Sequence, residues 1–424
     1  MKMQADQATF GRYLFFWSGQ LISLMGSSIA QFVIVWWVTV ETQSAVYLSI
    51  SSFAGFAPMI LLTPIAGVYA DRWNRKALIG IVDFLQALTT VVLIFLFWLN
   101  VISVWHVIGL SVLRGTFQAF HAPAVSALIP LMVPRDKLSR INGLNYLFSG
   151  VINFIGPPVA VLLSGIWEIH EILWIDAGTF IVAVIPLLMI AIPAVKKKQD
   201  EGQDRPSFKK EFVEGLAFIR NARGLTALLM LATTVNFLVM PLATLLPYYV
   251  KYDHLGEEPE YALASAVYQA GMLAGGLLMS VIKGFKRKMI AILAFIYMSF
   301  LGYAMIALTP TGLFWFMAIG ALIFSFPLPP INVSILTVIQ TVVPVEKFGR
   351  VNSVVMALAN IASPLGMVVS GPIAEITGTA NLFLGCSLLG LLGITLSWLF
   401  TDIRHLEKME EGTPDPNDQI PVDR

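Results

Sequence analysis

The sequence predicts an all-α membrane protein of twelve transmembrane helices, arranged as two pseudo-symmetric six-helix bundles. Three observations predict it. Of 424 residues, 57% are hydrophobic and 12% are charged, and the mean hydropathy is +0.77, far from the balance of a water-soluble domain. Twelve apolar stretches are each long enough to cross roughly 30 Å of hydrocarbon, which takes about 20 residues. VPRDKLSRIN at Val133 to Asn142 returns as VPVEKFGRVN at Val343 to Asn352, an offset of 210 that is almost half the chain. The chain therefore reads as a duplicated unit, the layout of a secondary transporter.

The first stretch covers 13 to 40 and grows straight out of Phe10 without a short cleavable segment, so it is retained as structure. The next five cover 45 to 70, 77 to 99, 103 to 131, 142 to 165 and 172 to 194, giving an N-terminal bundle over 1–194. Residues 195–223 form a linker, KKKQDEGQDRPS followed by FKKEFVEGLAFIRN, whose Phe208, Phe212, Val213, Leu216 and Ile219 recur at helical spacing and suggest a helix on the inner membrane surface. The second bundle, 224–402, holds stretches at 224 to 250, 261 to 282, 289 to 308, 311 to 341, 351 to 374 and 380 to 401. The polar, Pro-containing end, 403–424, reads as a disordered cytoplasmic tail.

Lysine and arginine accumulate on the cytoplasmic side of short loops. With the N-terminus inside, 25 of the 27 cations fall on inner segments, Lys251 alone lies outside, and Arg114 lies within a helix. Both termini are expected in the cytoplasm, with the chain in the inner, cytoplasmic membrane. The net charge of +1 averages two opposite faces and gives no argument for a nucleic-acid partner. The lone cysteine, Cys386, reads as a small buried thiol. There is no HExxH and no phosphate loop, so an intramembrane protease or an ATP-driven pump lacks its usual carriers; no enzyme activity, cofactor or metal is expected.

Charge inside apolar spans marks the candidate chemistry. Arg114 sits about twelve residues into the fourth span, roughly 18 Å deep, where a charge must face a bundle interior or water and find a partner. Gln118 and His121 follow at i+4 and i+7, on the same face. Asp83 and Asp176 lie within the third and sixth spans. Depth favours Asp83 as the neighbour of Arg114, while Asp176 is expected close to the outer interface. A carboxyl whose exposure and cation contact change between conformations is a natural proton carrier; Asp83 either has that role or anchors the inner loop by pairing with Arg72, Arg75 or Lys76. Glu41 and Glu375 read as solvated acids at outer helix ends.

The loop after the second span reads Gly67, Val68, Tyr69, Ala70, Asp71, Arg72, Trp73, Asn74, Arg75, Lys76. It resembles the G-x-L-A-D-R-x-G-R-K loop of the major facilitator superfamily, matched at Gly67, Ala70, Asp71, Arg72, Arg75 and Lys76. Asn74 stands at the second glycine, and since Asn enters the left-handed region cheaply the turn is expected to survive. The resemblance implies a gating cluster that latches the halves. Leu110, Arg114 and Gln118 approximate the family's fourth-helix pattern, and Gly156 with Pro157 partly matches its antiporter motif. GQLISLMGSSIAQ (Gly19 to Gln31), FHAPAVSALIPLMVP (Phe120 to Pro134) and ILWIDAGTF (Ile172 to Phe180) are similar to the macrolide-efflux, drug and proton antiporter branch.

What the resemblance implies is a central cavity lined by helices one, four, seven and ten. Its candidate lining is Gln20, Gln31, Trp36, Gln118, Asn236, Phe237 and Asn332, the last near a break expected at Pro327, Pro329 and Pro330. Proton coupling falls to Asp83, Arg114, His121 and Asp176, with a buried neutral histidine as the plainer reading of His121. The expectation is a monomeric, proton-coupled exporter of lipophilic or amphipathic small molecules, macrolide-like drugs or siderophore-like compounds, working by alternating access. The alternative is an importer or facilitator of a specific anionic solute, with Arg114 as its ligand.

Overall fold

The structure, a computed structural model, describes residues 7–190, 208–222, 224–282 and 284–403. The first part of the linker, 195–207, and the tail after Ile403 therefore lie outside the described residues. The first half contains α1 (Gln7–Thr42), α2 (Ala45–Arg72), α3 (Arg75–Trp98), α4 (Val104–Ser126), the single turn α5 (Ile129–Met132), α6 (Leu138–Ser164) and α7 (Ile169–Met189). The amphipathic α8 (Phe208–Asn221) leads into the second half: α9 (Leu225–Tyr248), α10 (Glu258–Val281), α11 (Lys288–Ala307), α12 (Phe314–Ser325), α13 (Leu328–Val342), α14 (Val345–Thr377) and α15 (Thr379–Phe400).

Helix is the form such a sequence must take, because a backbone polar group left unpaired in hydrocarbon costs several kcal/mol and a helix satisfies its own. Among the described residues eleven segments are long and apolar enough to cross a membrane, α12 and α13 counting as one. The fourth stretch of the sequence is α4, 23 residues long and so about 34 Å, which also suffices to span. It falls short on apolarity because it carries the polar groups of the site, and it ends at Ser126 rather than at 131. The prolines break the tenth stretch as expected, dividing α12 from α13 at Phe326 and Pro327.

Helix starts follow capping chemistry. Ser44 accepts from the backbone N–H groups of Val46 and Tyr47 at the start of α2. Asn74 is extended, with φ −68°, and accepts from Ala77 N–H at the start of α3. The left-handed turn expected at Asn74 does not form; asparagine serves there as a cap. The two copies of the repeat play the same part, since Val133 and Val343 each end one helix and α6 and α14 begin within the residues that follow.

The first six spanning helices pack among themselves, and α9 to α15 do likewise. The halves meet chiefly where α2 lies on α14 and α6 on α10. On the face away from the termini this seam is closed by named contacts. Glu375 accepts from Ser44 Oγ at 2.5 Å and from Val46 N–H at 3.4 Å. Glu258 accepts from Ser164 Oγ at 2.9 Å, and Tyr252 donates to the carbonyl of Thr39 at 3.3 Å. Glu375 is exposed at a helix end, as expected, and also caps a helix of the other half. α8 packs on α14, with Ile219 buried and the Lys347 ammonium over the Phe218 ring.

Candidate functional site

Two helix crossings bring backbones close enough to build the site. A Cβ added at Gly115 of α4 would stand 2.0 Å from the carbonyl oxygen of Gly55 on α2, so only glycine lets these helices meet. A Cβ at Gly26 of α1 would stand 3.1 Å from Asp176 Cα and 2.1 Å from Thr179 Oγ1, which seats α7 against α1.

On that frame α3 presents Asp83, Gln86 and Thr90 at i, i+3 and i+7, and α4 presents Arg114, Gln118 and His121 at i, i+4 and i+7. Each helix shows one polar stripe, and the stripes face each other. At one end Asp176, fully buried, accepts three hydrogen bonds. Ser27 Oγ donates to its Oδ1 at 2.8 Å, while Thr90 Oγ1 at 2.8 Å and Arg114 Nη2 at 3.3 Å donate to its Oδ2. Arg114 Nη1 also donates to Thr90 Oγ1 at 3.3 Å. In the middle Gln86 Nε2 donates to Gln118 Oε1 at 3.4 Å. At the other end Asp83, 2% exposed, lies 3.0 Å from His121 Nε2 and accepts a long contact of 3.5 Å from Gln20 Nε2. The imidazole lies beside Asp83 at 3.0 Å but outside hydrogen-bond alignment, so no directed bond joins the two side chains.

This corrects the expected pairing. Arg114 is bound to Asp176, and Asp83 belongs to His121. Asp176 is not at the outer interface, because α7 begins at Ile169 and the residue lies about two turns inside the helix, level with Thr90. Nor does Asp83 anchor the basic loop through Arg75 or Lys76. Arg75 Nη1 donates to the Ala127 carbonyl at 3.2 Å, and Lys76 Nζ donates to the carbonyls of Leu188 and Ile190 at 2.8 and 2.7 Å. These cations sit on the negative C-terminal ends of α4 and α7, a favourable place for them. The side chains of Asp71 and Arg72 lie outside the described residues, and Gly67 has open space where a Cβ would be.

The ladder forms one wall of a cavity of about 600 Å³ between the halves, in the size range of drug-binding sites. Gln20, Gln31 and Gln118 of the candidate lining border it, together with Asp83, Arg114 and His121. Other expected lining residues are elsewhere. Trp36 stacks on Tyr261 in the closed seam at 5.8 Å, Asn236 spends its amide on the Ala232 carbonyl, and Phe237 faces a separate apolar groove between α9, α14 and α15. Asn332 is exposed and outside the cavity lining, because the break before α13 rotates it away. Ser27 and Thr90, which complete the shell of Asp176, were not singled out; Thr90 could have been, since it continues the stripe from Asp83 and Gln86. Among the described residues no group of three or more His, Cys, Asp or Glu side chains could hold a metal ion.

The sequence profile of the Major Facilitator Superfamily matches residues 16–323 and 225–421. Macrolide efflux protein A of Streptococcus pyogenes is 30% identical over 396 residues, covering 93% of this chain and 96% of that protein. Multidrug efflux pump Tap of Mycolicibacterium fortuitum is 27% identical, covering 88% of this chain and 92% of that protein. Among solved structures, a mutant of the nucleoside transporter NupG superposes with a TM-score of 0.70 at 15% identity, covering 91% of this chain and all of that one, a likeness of fold alone. Two packed sets of helices, a cavity between them and these matches lead to one conclusion: the chain is a membrane transporter, not an enzyme, and belongs to the Major Facilitator Superfamily.

Proposed function

We propose that this transporter exports lipophilic or amphipathic small molecules, macrolide-like compounds among them, in exchange for protons, by rocking its two halves about the cavity. One observation carries the reading: two buried carboxylates, Asp83 beside His121 and Asp176 paired with Arg114, lie along the wall of that cavity that Asp83, Arg114 and His121 line. An ionised carboxylate only accepts hydrogen bonds. Protonating Asp176 would set a new O–H among three donors, so proton uptake there requires Arg114 to withdraw. Protonating Asp83 displaces no strong donor, which makes Asp83 the entry point for the proton and His121 its partner. The similarity to macrolide and multidrug efflux proteins supports the substrate class. The asymmetry of basic residues supports termini in the cytoplasm and residence in the cytoplasmic membrane. A site complete within one chain supports action as a monomer, with substrate, protons and lipid its only partners. The anionic-solute alternative is disfavoured because Arg114 already spends its charge on Asp176.

The test is uptake of tritiated erythromycin into everted membrane vesicles under an imposed pH gradient, comparing wild type with Asp83→Asn and Arg114→Ala. Uptake that follows the gradient in wild type and collapses in Asp83→Asn supports the reading. Uptake that ignores the gradient and survives Asp83→Asn sinks proton exchange.

A further inference from the structure

A second chamber of about 270 Å³ adjoins the central cavity on the side of the C-terminal half, and the two share Gln31 and Tyr261 on their walls. At that size it holds part of a drug-sized molecule rather than all of one. Its chemistry is unlike that of the main cavity, since none of its lining residues is charged. Tyr261 stacks on Phe32 at 4.8 Å with 12° between the planes, Tyr268 stands 6.0 Å from the buried Phe324, and all four rings line the chamber. Between them project the amides of Gln31 and Gln269 and the hydroxyl of Tyr268, none of which hydrogen-bonds within the protein among the described residues. Polar groups with no partner inside the protein are free to bond a ligand that supplies one. Rings with open faces favour a flat or alicyclic surface.

Resting on the efflux reading above, we propose that this chamber is a subsite for the uncharged ring portion of the substrate, one that carries carbonyl or hydroxyl groups. Tyr261 and Tyr268 stack on that ring, and Gln31 and Gln269 bond its oxygens. The charged ladder across the cavity is then left to the proton and to any ionised part of the same molecule. Tyr261 also stacks on Trp36 in the closed seam, so Tyr268 and Gln269, which make none of the seam contacts named above, are the positions to test.

The experiment is equilibrium binding of tritiated erythromycin to the purified full-length chain in lipid nanodiscs, alongside vesicle uptake, for wild type, Tyr268→Ala, Tyr268→Phe and the near-isosteric Gln269→Leu. Tyr268→Ala should weaken binding roughly tenfold and Gln269→Leu roughly fivefold, with Tyr268→Phe in between the wild type and Tyr268→Ala. If Tyr268→Ala does not fold, Gln269→Leu decides alone. Wild-type uptake together with variant affinities within about twofold of wild type overturns the subsite and leaves the efflux reading standing. Absence of both binding and gradient-driven uptake in wild type brings down the efflux reading, and the subsite with it.

Discussion

The 210-residue offset of the repeat pairs each charged position of the N-terminal half with a position in the C-terminal half. Asp83 corresponds to Leu293, Thr90 to Phe300, Arg114 to Phe324 and Asp176 to Cys386, and Ser27 to Phe237. Of these five counterparts, Leu293, Phe300, Phe324 and Cys386 are buried and pack with Tyr303 and Phe383 into one core, while Phe237 faces the apolar groove. One wall of the cavity is therefore a polar ladder and the other an aromatic and amide surface on the same scaffold. The comparison teaches that the duplicated pattern of apolar helices sets the fold, while the few intramembrane charges that set the chemistry need not be duplicated with it.

Several substitutions would break or sharpen that contrast. The largest effect is expected for Asp176→Ala, which strands the Arg114 guanidinium in the interior and should cost about 3 to 5 kcal/mol. Thermal unfolding of the purified protein would measure it, and Asp176→Ala with Arg114→Ala should recover part of the loss. Placing the same charge in the other half is the converse experiment. Phe324→Arg should cost about 2.5 to 3.5 kcal/mol, and adding Cys386→Asp should not restore stability, because Phe300 and Phe237 stand where the hydroxyl donors would be. Full recovery in the double variant would show that the dry half can hold an ion pair as it is. Gly115→Ala drives a methyl into the Gly55 carbonyl and should cost about 1 to 3 kcal/mol, with no equivalent loss for Gly109→Ala, where a Cβ meets nothing within 4 Å. The smallest effect, about 0.6 kcal/mol, is expected for Ser27→Ala, which removes one of the three donors to Asp176. A loss near that of Asp176→Ala would mean that the shell acts as a unit.

Much of this was legible beforehand for a physical reason. Hydrocarbon admits few solutions, so composition and twelve apolar runs force helices, and the returning VPRDKLSRIN forces two halves. Arg114 announced itself because a charge at that depth must have a partner. Its partner was misjudged because a three-residue error in where α7 begins moves Asp176 by almost a turn, from the interface into the core. Asp83 was recognised as unusual, yet its partner, His121, lies on another helix, and no spacing along the chain reveals how α3 and α4 rotate against each other. Helix number alone points Asn236, Phe237 and Asn332 at the cavity, whereas a helix that lines a cavity turns only about a third of its surface toward it.

By itself the sequence determined the solvent, the secondary structure, the duplication and the list of charged residues that must be buried, because transfer into a bilayer is decided residue by residue. Tertiary structure alone decided who pairs with whom: that Arg114 holds Asp176 with Thr90 and Ser27, that Arg75 and Lys76 cap α4 and α7, and that Glu375 caps α2 across the seam. Those pairings depend on the rotation of each helix about its axis, which Gly115, Gly26 and the surrounding packing fix jointly and which no single helix carries in its own sequence.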